Sequence, residues 1–250
     1  MTTIAVLATP PEPGVLDALV PDPLDAGEAA ALYAAMLGDV CETVQRGEAD
    51  LLVNYRARAD DGEPGVESGG DAETALRGVL EDLPSPGAVR YEPQVGTARA
   101  GRVGNALTHL LESEGEASVA VVRPTAAYLR REHVGQLAMK LRRSDVVLAP
   151  TPDGDVSVAG FTAPVDFADG FATPAVETLT ERAVDAGLDV DFLPMLPVLE
   201  RPADLATAVA VLSARRRAGR LVPPRTTARI EEWGLTVEAD GTVGRRSDGG

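Results

Sequence analysis

The sequence predicts an α/β fold, three layers deep (α/β/α), with helices on both faces of a mixed, mostly parallel sheet. Three observations predict it. Short, β-branched apolar runs alternate with segments of helical periodicity along most of the chain. The runs are nearly continuous in apolar residues, as suits strands covered on both faces. Strand–helix–strand alternation then implies parallel pairing through right-handed crossovers. At 250 residues the chain is long enough for a sizeable core, and 44% hydrophobic residues set it apart from disordered sequences.

The elements follow in order. IAVLA from Ile4 reads as the first buried strand. TPPEPG after it predicts a stiff turn, because a phosphate loop needs several glycines and usually a lysine. Residues Glu28 to Gln45 predict a helix through Ala29, Tyr33, Met36, Val40 and Val44. DLLVNY from Asp50 is the next strand, and the polar, glycine-rich stretch 56–70 is a surface loop. A helix over Asp71 to Leu83 leads to the strand AVRYE from Ala88. Val103, Leu107 and Leu110 mark a helix over Arg99 to Leu111, which SVAVV from Ser118 follows as a strand. A helix is expected over Ala126 to Leu141.

DVVLAP from Asp145 and VSVAGF from Val156 lie too close together for a helical crossover, so they predict a hairpin or bend and hence one antiparallel element. Thr173–Pro174 and Pro202 open two further helices on either side of the strand DVDFLP from Asp189. The main domain is expected over 1–222. Residues 223–250 form an extension of one helix, a hairpin in LTVEADGTVG with a two-residue turn at Asp240–Gly241, and a frayed tail.

Charge narrows the partners. The net charge is −16 and the pI near 4.5; of 23 basic residues only Lys140 is a lysine. Phosphate contacts need a basic footprint, so the balance argues against nucleic acid as a partner. An acidic surface with one lysine is the pattern expected of a halophilic protein in a salt-filled cytoplasm, where molar salt shrinks the Debye length to about 3 Å. No run approaches the roughly 18 apolar residues of a membrane span. The N-terminus lacks a basic leader region, so a cytoplasmic location is expected. Cys41 is alone and lies beside a helix's apolar stripe, so it reads as a buried thiol.

In an open α/β sheet ligands gather where the strands end at their carboxyl side, so the loops there carry the candidates. After AVRYE, Gln94, Gly96, Gly101 and Gly104 surround a helix start that bears Arg99 and Arg102. The two guanidinium groups near a positive helix end suit a diphosphate; the plainer reading makes them solvated helix residues. After SVAVV, Arg123, Arg130, Arg131 and His133 concentrate positive charge, either as an anion site or as a solvated face. In TPDGD, Asp153 and Asp155 flank Gly154. Such a pair suits Mg²⁺ or Mn²⁺ bridging a nucleotide diphosphate, and Asp-Gly is equally an ordinary turn.

Over roughly residues 1–213 this order of segments resembles the glycosyltransferase-A-like (GT-A) family of radical-SAM/selenodomain-associated transferases, relatives of the molybdopterin and phospholactate nucleotidyltransferases. Gln94, Gly96 and Arg102 resemble the family's glutamine–glycine segment, and Asp153, Gly154 and Gly160 its DGG motif. Leu193, Pro194, Pro202, Asp204 and Leu205 resemble its late pattern. The resemblance implies a Rossmann-like GT-A fold and a nucleotide or nucleotide-sugar ligand. Nucleotide contacts would then come from Gln94, Gly96, Arg99, Arg102 and Arg123, catalytic roles from Asp153 and Asp155, and a Mg²⁺ or Mn²⁺ site from Asp153, Asp155 and Glu200. The chain departs from the pattern at Thr125, where the family carries an aspartate, and at Val198, Leu199 and Glu200, where an Asp-x-Asp loses one carboxylate. Ala98 and Ala100 replace an aspartate and a glycine, and Asp155 the second glycine of DGG. Three functions stand open: a glycosyl- or nucleotidyltransferase, a non-catalytic binding or assembly protein on the same fold, and a metal-independent enzyme using the Arg123–His133 cluster.

Overall fold

The computed structural model describes residues 2–57, 69–96 and 99–246. A seven-stranded sheet forms from β1 (Thr3–Ala8), β3 (Asp50–Tyr55), β4 (Arg90–Pro93), β5 (Val119–Val122), β6 (Val146–Pro150), β7 (Val156–Phe161) and β8 (Val190–Phe192). Its order is β4-β3-β1-β5-β7-β6-β8. Every pairing is parallel except those of β7, which runs against both β5 and β6. The sheet is therefore mixed and mostly parallel, and the hairpin expected around TPDGD is its antiparallel element.

Helices cover both faces. On one lie α1 (Ala26–Arg46), α2 (Gly69–Val79) and α4 (Arg131–Lys140), over a core that includes Ile4, Val53, Leu76, Val122 and Val134. On the other lie α3 (Arg99–Thr108) and α5 (Ala175–Asp185), around Leu52, Leu107, Phe161 and Leu179. Alternate residues of β3 divide between the two faces: Leu51 and Val53 face one core, Leu52 the other. The α1 start is fixed by a reciprocal cap: Asp25 Oδ1 accepts from the Glu28 N–H at 2.8 Å, and Glu28 Oε2 accepts from the Asp25 N–H at 3.0 Å. Cys41 on α1 is fully buried, and burial pushes its thiol pKa up. Among the described residues no helix is long and apolar enough to cross a membrane.

A third core lies between α1 and the chain's end. It joins Leu19, Leu32 and Met36 to Leu205 and Leu212 of α6 (Pro202–Arg217) and to Ile230 of α7 (Pro224–Glu232). The extension expected at 223–250 is thus packed on the body through α7 and the antiparallel pair β9 (Leu235–Val237) and β10 (Val243–Arg245). Asp39 on α1 locks it. Its carboxylate accepts from the backbone N–H of Arg225 (3.0 Å) and of Thr226 (2.8 Å), capping α7 from another helix.

Several expectations need correction. The helix expected from Ala126 begins at Arg131; residues 123–129 instead form tight turns, with Ala126 N–H to Arg123 O at 3.1 Å and Leu129 N–H to Ala126 O at 2.8 Å. The apolar AAYL stretch is buried as a turn, and His133 Nδ1 accepts from the Arg130 N–H at 3.2 Å to start the helix. The hairpin turn is longer than two residues: Val237 pairs with Val243, and 238–242 form the loop, in which Asp240 Oδ1 accepts from the Thr242 N–H. Thr173 does not cap α5. The expected turn after β1 contains a short extended segment, β2 (Pro13–Leu16). Most of the 56–70 loop and the tail 247–250 lie outside the described residues.

Candidate functional site

The carboxyl ends of β1, β3, β4, β5 and β6 point to one edge of the sheet, and antiparallel β7 starts there. Chain direction alone thus brings Gln94, Arg123, Thr125, Asp153 and Asp155 to one rim. Glu200 joins them because the segment after β8 returns along it: Leu196 N–H donates to Pro150 O and Leu199 N–H to Thr125 O, both at 2.9 Å.

Arg123 is the centre of this rim. Its backbone N–H donates to Ser157 O at 2.9 Å, fixing it against the start of β7. Nη1 donates to Asp155 Oδ2 at 2.5 Å, and Nη2 pairs with Glu200 Oε2. The remaining oxygens also have donors. Asp155 Oδ1 accepts from the Val156 N–H at 2.7 Å, and Glu200 Oε1 from the Thr125 hydroxyl at 2.5 Å. The Arg123 and Asp155 side chains are only 12% and 9% exposed. Arg123 also borders a small apolar depression with Leu7, Val121, Val156 and Phe171.

Asp153 stands apart from that trio. It accepts from the Thr151 hydroxyl, which together with Arg201 at 3.4 Å holds its carboxyl below the usual range; its side chain is 40% exposed. The turn is tied down by the Gly154 carbonyl, which accepts from the Val176 N–H of α5 at 3.1 Å. Arg201 and Asp204 set the loop at Glu200: Asp204 Oδ2 accepts from the backbone N–H of Glu200 (3.2 Å) and of Arg201 (3.0 Å). Tyr33 braces the rim from α1, its hydroxyl accepting from the Thr9 N–H at 2.9 Å; burial pushes its pKa up to about 12.

The glutamine segment makes a second group on the same edge. Gln94 Nε2 donates to Asn54 O at 2.8 Å, and Arg102 Nε donates to Gln94 Oε1 at 3.0 Å. Gly96 has φ +128°, and a Cβ there would stand 3.2 Å from the Arg102 backbone nitrogen, so the turn requires glycine. Arg99 opens α3, but its side chain lies outside the described residues. Gln94 follows β4 and Arg123 follows β5, three strand spacings away, or about 14 Å. That span suits one extended ligand touching both groups.

The metal expectation meets a different arrangement. Asp155 and Glu200 converge, but on a guanidinium, and Asp153 faces Thr151 and Arg201. Among the described residues no three His, Cys, Asp or Glu side chains are placed to hold a metal. A dication bound to Asp155 Oδ2 would lie within about 5 Å of Arg123 Nη1, where the charges repel by about 7 kcal/mol at an effective dielectric of about 20. As they stand, these residues do not fit Mg²⁺ or Mn²⁺.

Of the basic cluster, Arg123 alone joins the rim. Arg130 and Arg131 are exposed and paired with Glu132 and Glu48, and His133 caps its own helix. Composition and spacing gave no signal for Thr151 or Tyr33. Arg201 was legible in principle: Asp204 three residues on, beside Pro202, is a helix-start signature.

No protein-family model and no curated protein matches the chain. Solved structures do. One, assigned as a nucleotide-diphospho-sugar transferase, comes from Desulfovibrio desulfuricans: TM-score 0.73, 20% identity, covering 92% of this chain and 94% of that one. A 4-diphosphocytidyl-2C-methyl-D-erythritol synthase from Anaerococcus prevotii matches at TM-score 0.52 and 15% identity, over 85% and 99%. A cytidylyltransferase from Leptospira borgpetersenii matches at 0.50 and 10%, over 92% and 94%. The chain has the Rossmann-like fold shared by nucleotide-diphospho-sugar transferases and cytidylyltransferases.

Proposed function

We propose that the protein is a glycosyltransferase- or nucleotidyltransferase-like protein that binds a nucleotide or nucleotide-sugar along the carboxyl edge of its sheet. The observation that carries this reading is the meeting there of two polar groups, Gln94–Arg102 and Arg123–Thr125–Asp155–Glu200, on a fold whose neighbours include proteins named for nucleotide-sugar and cytidylyl transfer. Arg102 and Arg123 hold phosphate oxygens, as guanidinium groups suit. Gln94, Gly96 and Arg99 shape the α3 end of the ligand's bed. Asp153, kept ionised and partly open to solvent beside Arg201, is a poor proton acceptor and helps set the loop that carries Glu200. Catalysis is then positioning and charge neutralisation.

Calorimetric titration with nucleoside di- and triphosphates and nucleotide-sugars, in molar KCl, tests this. Saturable binding of at least one, weakened by Arg102→Ala, is expected; no heat for any of them removes the proposal. A second reading, binding without turnover, is favoured by the internal pairing of Asp155 and Glu200. It predicts that a bound nucleotide-sugar survives prolonged incubation intact.

A further inference from the structure

We propose that Arg123 is the resident cation of this site, built into the position a divalent metal would need, so that the protein binds its anionic ligand without one. The inference deepens the nucleotide-binding reading and rests on it for the ligand, but not for the metal.

Three features of the rim carry it. First, Arg123 bridges the two carboxylates that converge, and every oxygen of both already has a donor: Arg123 and the Val156 N–H on Asp155, Arg123 and Thr125 on Glu200. Second, the guanidinium is held from both ends. Its backbone is bonded to Ser157, and its side chain is almost wholly enclosed. Third, the residue borders the small apolar depression formed with Leu7, Val121 and Phe171. One buried guanidinium thus stands between the two carboxylates and offsets one of their two charges, in the place a bridging metal would occupy. Thr125 fits the same design. A hydroxyl donates to Glu200 where an aspartate would add a third negative charge beside it.

The test uses Mn²⁺ alone, followed by its electron paramagnetic resonance signal, on the full chain in molar KCl to suppress binding to the acidic surface. The wild type is expected to show no stoichiometric site. Arg123→Gln, which keeps hydrogen bonding and removes the charge, and Arg123→Ala are each expected to bind one Mn²⁺ at least about 100-fold more tightly than wild type. Adding Glu200→Gln to either should abolish that gain. Should Arg123→Ala fail to fold, Arg123→Gln carries the test, with circular dichroism confirming its structure. A stoichiometric Mn²⁺ site in the wild type that Asp155→Asn removes would overturn the proposal. So would folded Arg123→Gln that binds no better than wild type. Nucleotide affinity should be equal in EDTA and in Mn²⁺ for the wild type. If no nucleotide binds at all, the ligand reading fails while the Mn²⁺ result stands separately.

Discussion

Asp39→Ala should detach the C-terminal helix from the body at a cost that the structure lets us estimate. The Asp39 side chain is 3% exposed, and its two oxygens accept from the N–H groups of Arg225 and Thr226 at 3.0 and 2.8 Å. Truncation leaves both donors without that partner, and Thr226 is fully buried. An unsatisfied buried donor costs about 1–3 kcal/mol, so the pair sets a gross loss of about 2–6 kcal/mol. Against this stands relief from burying a carboxylate. Burial raises the Asp39 pKa despite the two N–H groups and Arg225, which means the folded state resists its charge. The net loss expected is about 2–4 kcal/mol, at or above the upper end for a single helix cap because two donors lose their partner. Asp39→Asn keeps one acceptor and should lose about half as much.

Urea unfolding of the three proteins in the same molar KCl gives the comparison, and amide exchange localises it to α7. The sign with pH follows from the raised pKa: the folded state holds the Asp39 proton more tightly, so the wild-type advantage over Asp39→Asn shrinks as pH rises through that window. Asp39→Ala within about 0.5 kcal/mol of wild type, or Asp39→Asn as damaging as Asp39→Ala, would refute the capping argument.

Three other outcomes are expected. His133 is kept neutral by burial and by nearby Arg130, its pKa lowered, so stability should fall as pH drops below about 6.5, its unfolded value. His133→Asn should flatten that limb in pH-dependent unfolding. Gly47→Ala drives a Cβ to 2.5 Å from Val134 Cγ1 and should cost about 1–3 kcal/mol. The double variant with Val134→Ala should cost less than the two added separately, as a denaturant double-mutant cycle would show. With a net charge of −16, the protein should unfold at lower urea as KCl is withdrawn from molar to millimolar, an effect that neutral sucrose does not replace.

How much of this was legible varies with the kind of interaction. All seven strands of the sheet were readable: a strand buried on both faces writes an unbroken apolar run, as in β5 and β6, while the half-buried edge strands β4 and β8 showed as shorter runs broken by polar residues. The hairpin of β6 and β7 was readable from spacing alone, since 151–155 is too short for a crossover. The Ala126 helix was misread because apolar periodicity reports burial and not backbone shape: Ala126 and Ala127 are buried in turns. At the site, Gln94 and Arg102 lie close in sequence, and their hydrogen bond realises what that spacing suggested.

The amino-acid sequence by itself determined the α/β class, the antiparallel strand and the edge at which the polar groups gather. Those follow from local periodicity and from the direction of each strand, both carried by residues near one another in the chain. Only the tertiary structure decided that Asp155 and Glu200, 45 positions apart, meet on Arg123, and that Asp153 turns away to Thr151. Which cation sits between two carboxylates depends on the packing of three loops against each other, a long-range arrangement that leaves no periodic mark. The same holds for Asp39, whose role was fixed when α7 folded back onto α1.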